Sequence, residues 1–482
     1  MFYRRTNNAL SLFLFMAVLF TSCASYNKQA GSYYYHLRQS NYTKAAKELD
    51  NNKLLKKERN RLLYLLERGK VCHLLSQWDS SNTFLNEADN IIESANASVK
   101  DIVLGNLMNP MMQSYKAESF EKYLIHYYKA LNYLQLGQPQ EAMVEARRIS
   151  LRTYEQRDIT GKNKYADDAF SYMLQGLIYE KNGDINNAFI AYRNSVDVYL
   201  KNNGSYYDTK MPEQLKRDLL HTASQNGFTD ELHQYEKLLN TTYSGKEKPE
   251  GGELIVFWEN GFAPVKIQQD LYFTLFKDAG GSFFFTDAGG YYNIPYDINS
   301  SQNTNDIKLE NLRSFRVAVP NYQTQPLFYT GATLLNNGNI YSFEQTESIN
   351  TLAFSTLKER LLKELSSTLT RLAIKKITEA TVRSSGNKDN NPKNEEEKKK
   401  QKKKDNQRNA IALGLQIFNF ATEKADTRNW QSLPYTIYYA RIPLKKGENE
   451  ITLRLNGATS SEVKIWVIGS GGLQFKNFCI LK

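Results

Sequence analysis

Apolar residues recur at three- and four-residue spacing through residues 31–245, a period that predicts one helix after another. From residue 253 onward the pattern changes to short apolar runs bounded by Gly, Asn and Pro, which predicts strands. The change falls at residues 246–252, which we interpret as a linker. The pattern therefore predicts an α+β chain, with an α-solenoid at residues 33–245 followed by a β-rich, sandwich-like domain at residues 253–482.

A recurring set of small and aromatic residues divides the helical part into pairs of helices. The clearest copy has Tyr172, Gly176, Tyr179, Gly183, Ala188 and Tyr192, and a second has Tyr133, Gly137 and Ala142. Their spacing resembles the tetratricopeptide repeat (TPR), in which small residues let two helices approach closely. The turn glycines of the two copies are 46 residues apart, against about 34 in the standard repeat, so loops such as residues 157–168 must interrupt the array.

Three weaker copies extend the series on both sides. They comprise Gly69 to Ala88, a half-repeat at Tyr42 to Leu49, and Leu219 to Leu239 with Gly227 in its turn. For any single copy an ordinary helical hairpin is the alternative, but several copies in register favour a TPR-like array. Such arrays present a long curved surface, which here predicts a groove for a protein partner.

The second half alternates strand signals with one long amphipathic helix. Strands are predicted at residues 254–258, 271–276, 283–285, 315–319, 327–335, 340–343, 435–442, 451–455, 463–467 and 473–481. Asn337-Gly338 indicates a tight hairpin turn. Between the two groups of strands, an apolar stripe from Phe354 to Ile377 predicts a helix over residues 349–382.

Two segments after this helix break the pattern. Residues 384–408 are rich in Lys and Glu with almost no apolar side chains, so we expect a disordered insertion, with a long Lys/Glu helix as the alternative. Residues 411–420 are apolar almost all round and too short to span a bilayer. We interpret them as a core helix, while a membrane-inserting or partner-binding hairpin remains the alternative.

The N-terminus carries the strongest signal of cellular location. Two arginines precede an apolar run from Leu10 to Phe20, and Thr21-Ser22-Cys23 follows, which is the pattern of a secretory signal peptide at residues 1–22. A Cys at that place resembles the lipobox of bacterial lipoproteins, in which the Cys is acylated. The resemblance implies lipidation of Cys23, with residues 23–32 as a tether. An ordinary cleaved signal or an uncleaved anchor are the alternatives.

Composition adds little to this assignment but excludes some partners. The formal charge is +11, and loss of Arg4 and Arg5 with the signal would leave +9. In an exported protein this charge would meet anionic lipids and wall polymers, so no nucleic acid is expected. Besides Cys23 only Cys72 and Cys479 occur, and we expect both to be free, buried thiols.

No residue pattern predicts a reaction, a cofactor or a metal. The chain lacks HExxH, Walker A, GxSxG and CxxC motifs, and no pair of its five histidines has metal-ligand spacing. Two polar groups stand out: Glu145 and Arg148, one helical turn apart, and Asp426 and Arg428 beside Trp430. We interpret both as structural motifs, because an active-site carboxylate at Asp426 would lack a base or nucleophile.

The same stretches carry a family resemblance that spans most of the chain after the signal. Residues 118–148, residues 253–262 and Ala425-Asp-Thr-Arg428 with Trp430 and Leu433-Pro434 resemble an uncharacterised family of bacterial envelope lipoproteins. The resemblance implies an outer-membrane-type lipoprotein with helical repeats, and it implies no reaction. The insertion at residues 384–408 looks peculiar to this sequence.

These observations predict a lipid-anchored, periplasm-facing adaptor without enzymatic activity. The array would present its groove to an envelope protein, and the β-rich domain would dock the end of the array or bind a second envelope component. A peptidoglycan- or glycan-binding lipoprotein is the alternative, with Tyr291-Tyr292 and Tyr435 to Tyr439 as exposed aromatics. An enzyme with a pocket around Glu423 and Asp426 is the third possibility.

Overall fold

The computed structural model describes residues 26–94, 110–155, 168–245, 249–296, 314–384, 402 and 424–482. Cys23, the signal peptide, the loop at residues 157–167, most of the insertion at residues 384–408 and the segment at residues 411–420 lie outside the described residues, so the predictions for them stay predictions. Within the described ranges no helix is long and apolar enough to cross a membrane.

Residues 31–239 form a succession of helix pairs, which we call the array. Its helices are α2 (Gly31–Arg38), α3 (Tyr42–Asn51), α4 (Arg61–Leu74), α5 (Trp78–Ser94), α6 (Ser119–Gln135), α7 (Pro139–Glu155), α8 (Ala169–Lys181), α9 (Ile185–Lys201), α10 (Glu213–Asn226) and α11 (Thr229–Leu239). Successive pairs pack on one another, and the half-repeat expected near Tyr42 is a complete pair, α2 and α3.

Short-range polar signals set where these helices begin and turn. Asp184 accepts a hydrogen bond from the backbone N–H of Asn187 at 3.2 Å and so caps α9. Gly137 and Gly183 adopt φ values of +72° and +75° in the turns that join their helix pairs. An L-residue rarely adopts that conformation, which explains why Gly occupies these turns.

The chain before α2 differs from the expected tether. Residues Tyr26–Gln29 form a short helix, α1, and Tyr26 and Ala30 are fully buried against the array. The Tyr26 hydroxyl lies 2.7 Å from that of Tyr34. Residues 26–30 are therefore held on the array by Tyr26 and Ala30 rather than extended as a tether, because an aromatic side chain with a buried hydroxyl partner gains from leaving water.

The α+β class is confirmed by the strands that follow. A small hairpin of two strands with two residues each, β1 (Ser205–Tyr206) and β2 (Thr209–Lys210), joins α9 to α10. The described residues then form three four-stranded sheets from β3 (Glu253–Asn260), β4 (Val265–Lys277), β5 (Phe283–Asp287), β6 (Asn293–Tyr296), β7 (Ser314–Gln323), β8 (Tyr329–Asn336), β9 (Asn339–Ser342), β10 (Glu344–Ser348), β11 (Thr436–Pro443), β12 (Gly447–Gly457), β13 (Ser461–Gly469) and β14 (Leu473–Ile480).

The central sheet has the order β10-β11-β3-β14, with β14 parallel to β3 and the other pairs antiparallel. Both of its faces are buried, which accounts for the continuous apolar run of β3. Leu254, Val256 and Trp258 pack against the outer sheet, β13-β12-β8-β9. Ile255 and Phe257 face the opposite way and join the core of the array.

The third sheet, β6-β5-β4-β7, packs on the long helix α12 (Ile349–Ser384). Leu365, Leu369 and Leu372 of α12 are buried against Phe273, Phe285 and Val317 of this sheet. The predicted strands and the long helix are present, whereas β6, β10 and the β1–β2 hairpin were missed. β10 reads Glu-Gln-Thr-Glu-Ser, so it offers no apolar signal although Thr346 and Glu347 are buried.

Candidate functional site

One face of the array is covered by the chain's own later residues. The contacts come from the first helix of each pair, and we call this surface the first-helix face. It includes Tyr34 on α2, Glu67 and Lys70 on α4, Glu121, Tyr127 and Tyr128 on α6, Phe170 and Glu180 on α8, and Asp218 on α10. The β-rich half thus docks along all five pairs rather than at the end of the array.

Glu259, the penultimate residue of β3, lies at the centre of this interface. Its carboxylate accepts hydrogen bonds from Lys70 Nζ at 2.5 Å and from the hydroxyls of Tyr127 and Tyr128 at 3.1 and 2.8 Å. Asn477 Nδ2 on β14 donates a fourth at 2.7 Å. The side chains of Glu259 and Lys70 are fully buried, so a complete set of donors holds an ion pair away from water.

The electrostatics of this pair extend to His73, one turn further along α4. Burial alone would raise the pKa of Glu259, but the charges of Lys70 and His73 and the hydrogen bonds to Lys70 and Asn477 outweigh it and hold that pKa at about 2. Burial, and then the Lys70 charge, lowers the pKa of His73 to about 4. His73 Nδ1 lies 2.6 Å from Asn132 Oδ1, and its Nε2 lies 3.1 Å from Asn477 Nδ2.

Residues 425–434, which we call the motif loop, insert beside the array. Arg428 is only 1% exposed and pairs with Asp426 at 2.6 Å. Its guanidinium also donates to Asn60 Oδ1 at 2.6 Å and to the carbonyl of Gln113 at 3.1 Å. Burial opposes ionisation of Asp426, but the Arg428 charge and hydrogen bond lower its pKa. The pair therefore anchors the loop to the array.

Trp430, the next large side chain of the motif loop, is fully buried between the array and the β-rich half. Its indole Nε1 donates to Ser432 Oγ at 3.0 Å, and its backbone N–H donates to Glu121 at 2.8 Å. The next backbone N–H, of Gln431, donates to Glu67 at 3.2 Å, and the Ser432 hydroxyl donates to the same carboxylate. Two carboxylates of the array thus bind the backbone of the loop.

Burial perturbs both of those carboxylates. Desolvation raises the pKa of Glu67, although hydrogen bonds from Ser432, Tyr34 and Tyr33 oppose the shift. Desolvation, and then the charge of Glu118, raises the pKa of Glu121 to about 7. Both carboxylates accept hydrogen bonds that hold the loop.

Arg441 on β11 forms a third polar contact with the array. Its guanidinium donates to Asp218 at 3.0 Å and to Glu180 at 2.5 Å. Glu253 on the neighbouring strand accepts a further hydrogen bond at 2.9 Å, and Tyr439 donates to Asp218 at 2.6 Å. The guanidinium group of Arg441 therefore connects α8 and α10 to the central sheet through several charged hydrogen bonds.

The repeat residues lie within the array. The ring of Tyr192 covers Gly176, where an added Cβ would lie 2.4 Å from the ring. Ala142 and Ala188 are fully buried. Tyr133, Tyr172 and Tyr179 are partly buried against the same core.

Glu145 and Arg148 do not meet the motif loop. Glu145 lies 2.7 Å from His126 Nδ1 and 2.9 Å from Lys129 Nζ, while Arg148 pairs with Asp89 at 2.8 Å. These contacts join α5, α6 and α7 inside the array. The two polar motifs of the sequence thus serve different interfaces.

Beside the motif loop is a cavity of about 510 Å³, which we call the basic cavity. Residues 110–118 of the array, β4, β7, α12 and the motif loop line it. At its base Glu118 accepts from Lys266 Nζ at 2.6 Å and from Arg360 at 2.6 and 2.7 Å. Burial alone would raise the pKa of Glu118, but the charges of Lys266 and Arg360 outweigh it and lower that pKa.

The possible metal ligands and the two cysteine thiols form no combined site within the described residues. Within the described ranges no cluster of three His, Cys, Asp or Glu side chains could hold a metal ion. Cys72 and Cys479 are both free, and burial raises the pKa of each thiol. Cys72 is buried as expected, whereas Cys479 is only partly buried.

Sequence reasoning missed Glu259, Lys70, Glu67 and Arg441. A weak signal was present, because Glu67 and Lys70 lie among the apolar residues of α4 and Glu259 directly follows a buried strand run. A charged residue in such a place must find a partner. The sequence does not say which partner, since Lys70 and Glu259 are 189 positions apart.

Comparison with known proteins gives distant structural likenesses only. No family model and no curated protein matches the chain. Among solved structures, MamA from Desulfovibrio magneticus RS-1 is 13% identical, with 44% of this chain and 93% of that chain covered and a TM-score of 0.29. The apo form of RapI is 12% identical over 48% of this chain and 58% of that chain, with a TM-score of 0.32. These values are too low to assign a function.

Proposed function

We propose that this chain is a lipid-anchored scaffold of the bacterial cell envelope that binds a protein partner and catalyses no reaction. The resemblance to envelope lipoproteins and the acylation pattern at Cys23 support the location. Acylation would attach the chain to a membrane, most simply the outer membrane with the body in the periplasm. The short α1 helix begins three residues after Cys23, so little slack separates the anchor from the folded body.

The observation that carries the proposal is the occupied first-helix face. Array and β-rich half share one apolar core and several buried ion pairs, so they pack together as one unit. A partner protein would therefore bind the outer surfaces, or displace the chain's own domain. A catalytic acid or base must be available to a substrate. Here Glu259, Glu118 and Asp218 are engaged by cations.

The anchor is tested by fractionation of cells that express Cys23→Ala. We expect the wild type in the membrane fraction with a fatty-acylated N-terminus by mass spectrometry, and the variant in the soluble fraction. Cys72→Ala is the matched control, because that thiol is buried in the array and should not affect attachment. An unmodified mature N-terminus in the wild type, or membrane retention of Cys23→Ala, would overturn the assignment.

The partner is tested by site-specific photocrosslinking in intact cells. Val144 on α7 and Leu238 on α11 are apolar side chains that are each 53% exposed on second helices of the array. A crosslinker at either position should trap a defined partner, while one at the exposed Lys358 of α12 is the comparison site. Absence of any specific adduct from the array surface would argue against a scaffold.

A glycan-binding lipoprotein is the second candidate, and the third sheet favours it. On its outer face Phe276 lies directly across from Phe284, which lies across from Pro295. Tyr272 and Phe276 are more than half exposed, and Tyr291 is 87% exposed. Exposed aromatics of this kind can stack on sugar rings.

The other aromatic group expected to bind glycans is not available. Tyr439 is fully buried in the interface with the array, and Tyr438 stacks on Trp258 with ring centroids 4.7 Å apart. Sedimentation with purified cell wall separates the two candidates. Retention that Tyr291→Ala and Phe276→Ser abolish would favour the glycan-binding protein, and no retention of the wild type would exclude it.

A further inference from the structure

The basic cavity has more positive than negative groups in its walls. Six cationic side chains line it, and only three carboxylates do. The cations are Lys116, Lys266, Arg360, Lys363, Arg371 and Arg428, and the carboxylates are Glu118, Glu364 and Asp426. A concave site with an excess of one sign of charge attracts ligands of the opposite sign.

The carboxylates are already used by some of these cations. Glu118 binds both Lys266 and Arg360, and Asp426 binds Arg428. Glu364 pairs with Arg360 Nε at 2.9 Å. No ion pair to a carboxylate is found within the described residues for Lys116 or Lys363, and both side chains are exposed at the cavity, where a ligand could reach them.

The long helix α12 presents these groups in a stripe. Arg360, Lys363, Ser367 and Arg371 recur at three- and four-residue spacing and line the cavity. Leu365 and Leu369 point to the opposite side and fix the helix on the third sheet. Lys363 and Arg371 are eight residues apart, about 12 Å along the helix at 1.5 Å per residue.

We propose that the basic cavity binds a phosphate-bearing ligand with more than one negative group. Lys ammonium and Arg guanidinium groups are the side chains that proteins use for phosphate. Ser114, Ser367 and Thr368 add hydroxyls to the lining. The volume lies in the range of about 300–1,000 Å³ that small-molecule sites occupy. The ligand would come from a soluble phosphorylated compound or from the phosphate of a lipid headgroup.

The place of the cavity gives this ligand a structural role. One wall belongs to the array and the other walls to the β-rich half. A ligand that contacts Lys116 and Lys363 would therefore bridge the two halves and stabilise the folded chain in proportion to its concentration. This inference does not depend on the scaffold function or on acylation of Cys23.

The test uses the Cys23→Ala chain without its signal peptide and inorganic pyrophosphate as the probe, in titration calorimetry at constant ionic strength. We expect saturable binding, weakened at least tenfold by Lys363→Glu and by Lys116→Glu. Lys358→Glu is the matched control, because Lys358 is exposed on the same helix but lies outside the cavity. Since the varied lysines are exposed, these variants should fold, which circular dichroism verifies.

A second arm separates the two sources of the phosphate. Flotation with phosphatidylglycerol vesicles, with phosphatidylcholine vesicles as the comparison, tests a lipid headgroup. Binding to the anionic vesicles that pyrophosphate displaces and Lys363→Glu abolishes would identify the headgroup. Binding of pyrophosphate alone would identify a soluble ligand. Failure of the wild type to bind either probe, or equal weakening by Lys358→Glu and Lys363→Glu, would overturn the proposal.

Discussion

Helices of the array meet through shape at their glycines, with one buried charge cluster joining α5, α6 and α7, whereas the array meets the β-rich half through several buried charges. Inside the array, Gly176 lies under the ring of Tyr192, and Gly69 lies beside Leu85. Across the first-helix face, Lys70 binds Glu259, and Arg441 binds Asp218 and Glu180. Shape complementarity tolerates apolar swaps that conserve volume, but a buried charge fixes one partner in one geometry.

This difference suggests what each interface does for the molecule. Packing within the array is similar from one helix pair to the next, so it does not limit how many pairs can stack. The charged contacts occur once each and define where the β-rich half lies on the array. We expect the charges to specify the docked arrangement more than they add stability, because desolvation offsets much of their attraction.

The largest effect is expected when Glu259 loses its charge. Glu259→Gln keeps the shape of the side chain but leaves the buried Lys70 ammonium without a counter-ion. Removing one member of a buried ion pair costs about 3–5 kcal/mol, so the free energy of unfolding in urea should fall by that amount. The fluorescence of the buried Trp258 and Trp430 gives the readout.

A double variant sharpens this test. Lys70→Met with Glu259→Gln removes both charges, so it should recover much of the stability that Glu259→Gln alone loses. If the single variant is as stable as the wild type, or if the double variant recovers nothing, then the charge of the pair is not what matters at this interface.

A clash in the array should have the next largest effect. Gly176→Ala places a Cβ 2.4 Å from the ring of Tyr192, which is buried and cannot move aside freely. Overpacking of this kind costs about 1–3 kcal/mol, measurable by the same urea denaturation. Gly31→Ala on α2 is the control, since no atom lies within 4 Å of the new Cβ. Equal behaviour of the two alanine variants would refute shape fit as the basis of array packing.

The charged interface should also respond to acid through His73. Its pKa is about 4 in the folded chain, against 6.5 for an ordinary histidine, because burial and Lys70 disfavour the cation. Between these values the unfolded chain binds the proton more readily, so stability falls as the pH falls. From pH 7 to pH 5 the His73 contribution should fall by about 2 kcal/mol, at 1.4 kcal/mol per pKa unit, while Glu121, whose pKa is raised to about 7, contributes in the opposite direction.

The His73 contribution is isolated by comparison with His73→Gln. Across that pH range the variant should lose about 2 kcal/mol less than the wild type in urea denaturation. Glu259 cannot produce this signal, because its pKa of about 2 makes its contribution fall only below an ordinary carboxylate pKa of 4.5. Parallel pH profiles for wild type and His73→Gln would show that His73 is already accessible to protons when folded.

The same two interfaces explain what the sequence could predict. Gly176 and Tyr192 are 16 positions apart in one repeat, and their spacing recurs along the chain, so the array was predictable from one sequence. The strands of the β-rich half were also visible, because apolar runs and turn residues are local signals. The Asn337-Gly338 turn between β8 and β9, with φ values of +50° and +78°, is an example.

The docked arrangement could not be predicted in this way. Arg428 meets Asn60 across 368 positions, and no local pattern links an Arg in a loop to an Asn at a helix start. The motif around Asp426, Arg428 and Trp430 was visible as unusual, but its role depends on backbone carbonyls and carboxylates supplied by the array. Polar contacts over such separations leave no periodicity, which is why the sequence could not show that the chain's own later residues cover this face of the array.

The smallest effect is expected for an exposed ion pair on the array. Arg61 on α4 and Glu87 on α5 lie 2.7 Å apart, with side chains 40% and 46% exposed. A double-mutant cycle with Arg61→Ala and Glu87→Ala should give a coupling energy below about 1 kcal/mol, because water and salt screen the charges. In 1 M NaCl the Debye length falls to about 3 Å, and the coupling should nearly vanish.

A double-mutant cycle on Lys70 and Glu259 should keep its coupling energy in the same salt, since neither side chain is exposed. Equal couplings in the two cycles would mean that burial does not distinguish the docked interface from the surface of the array.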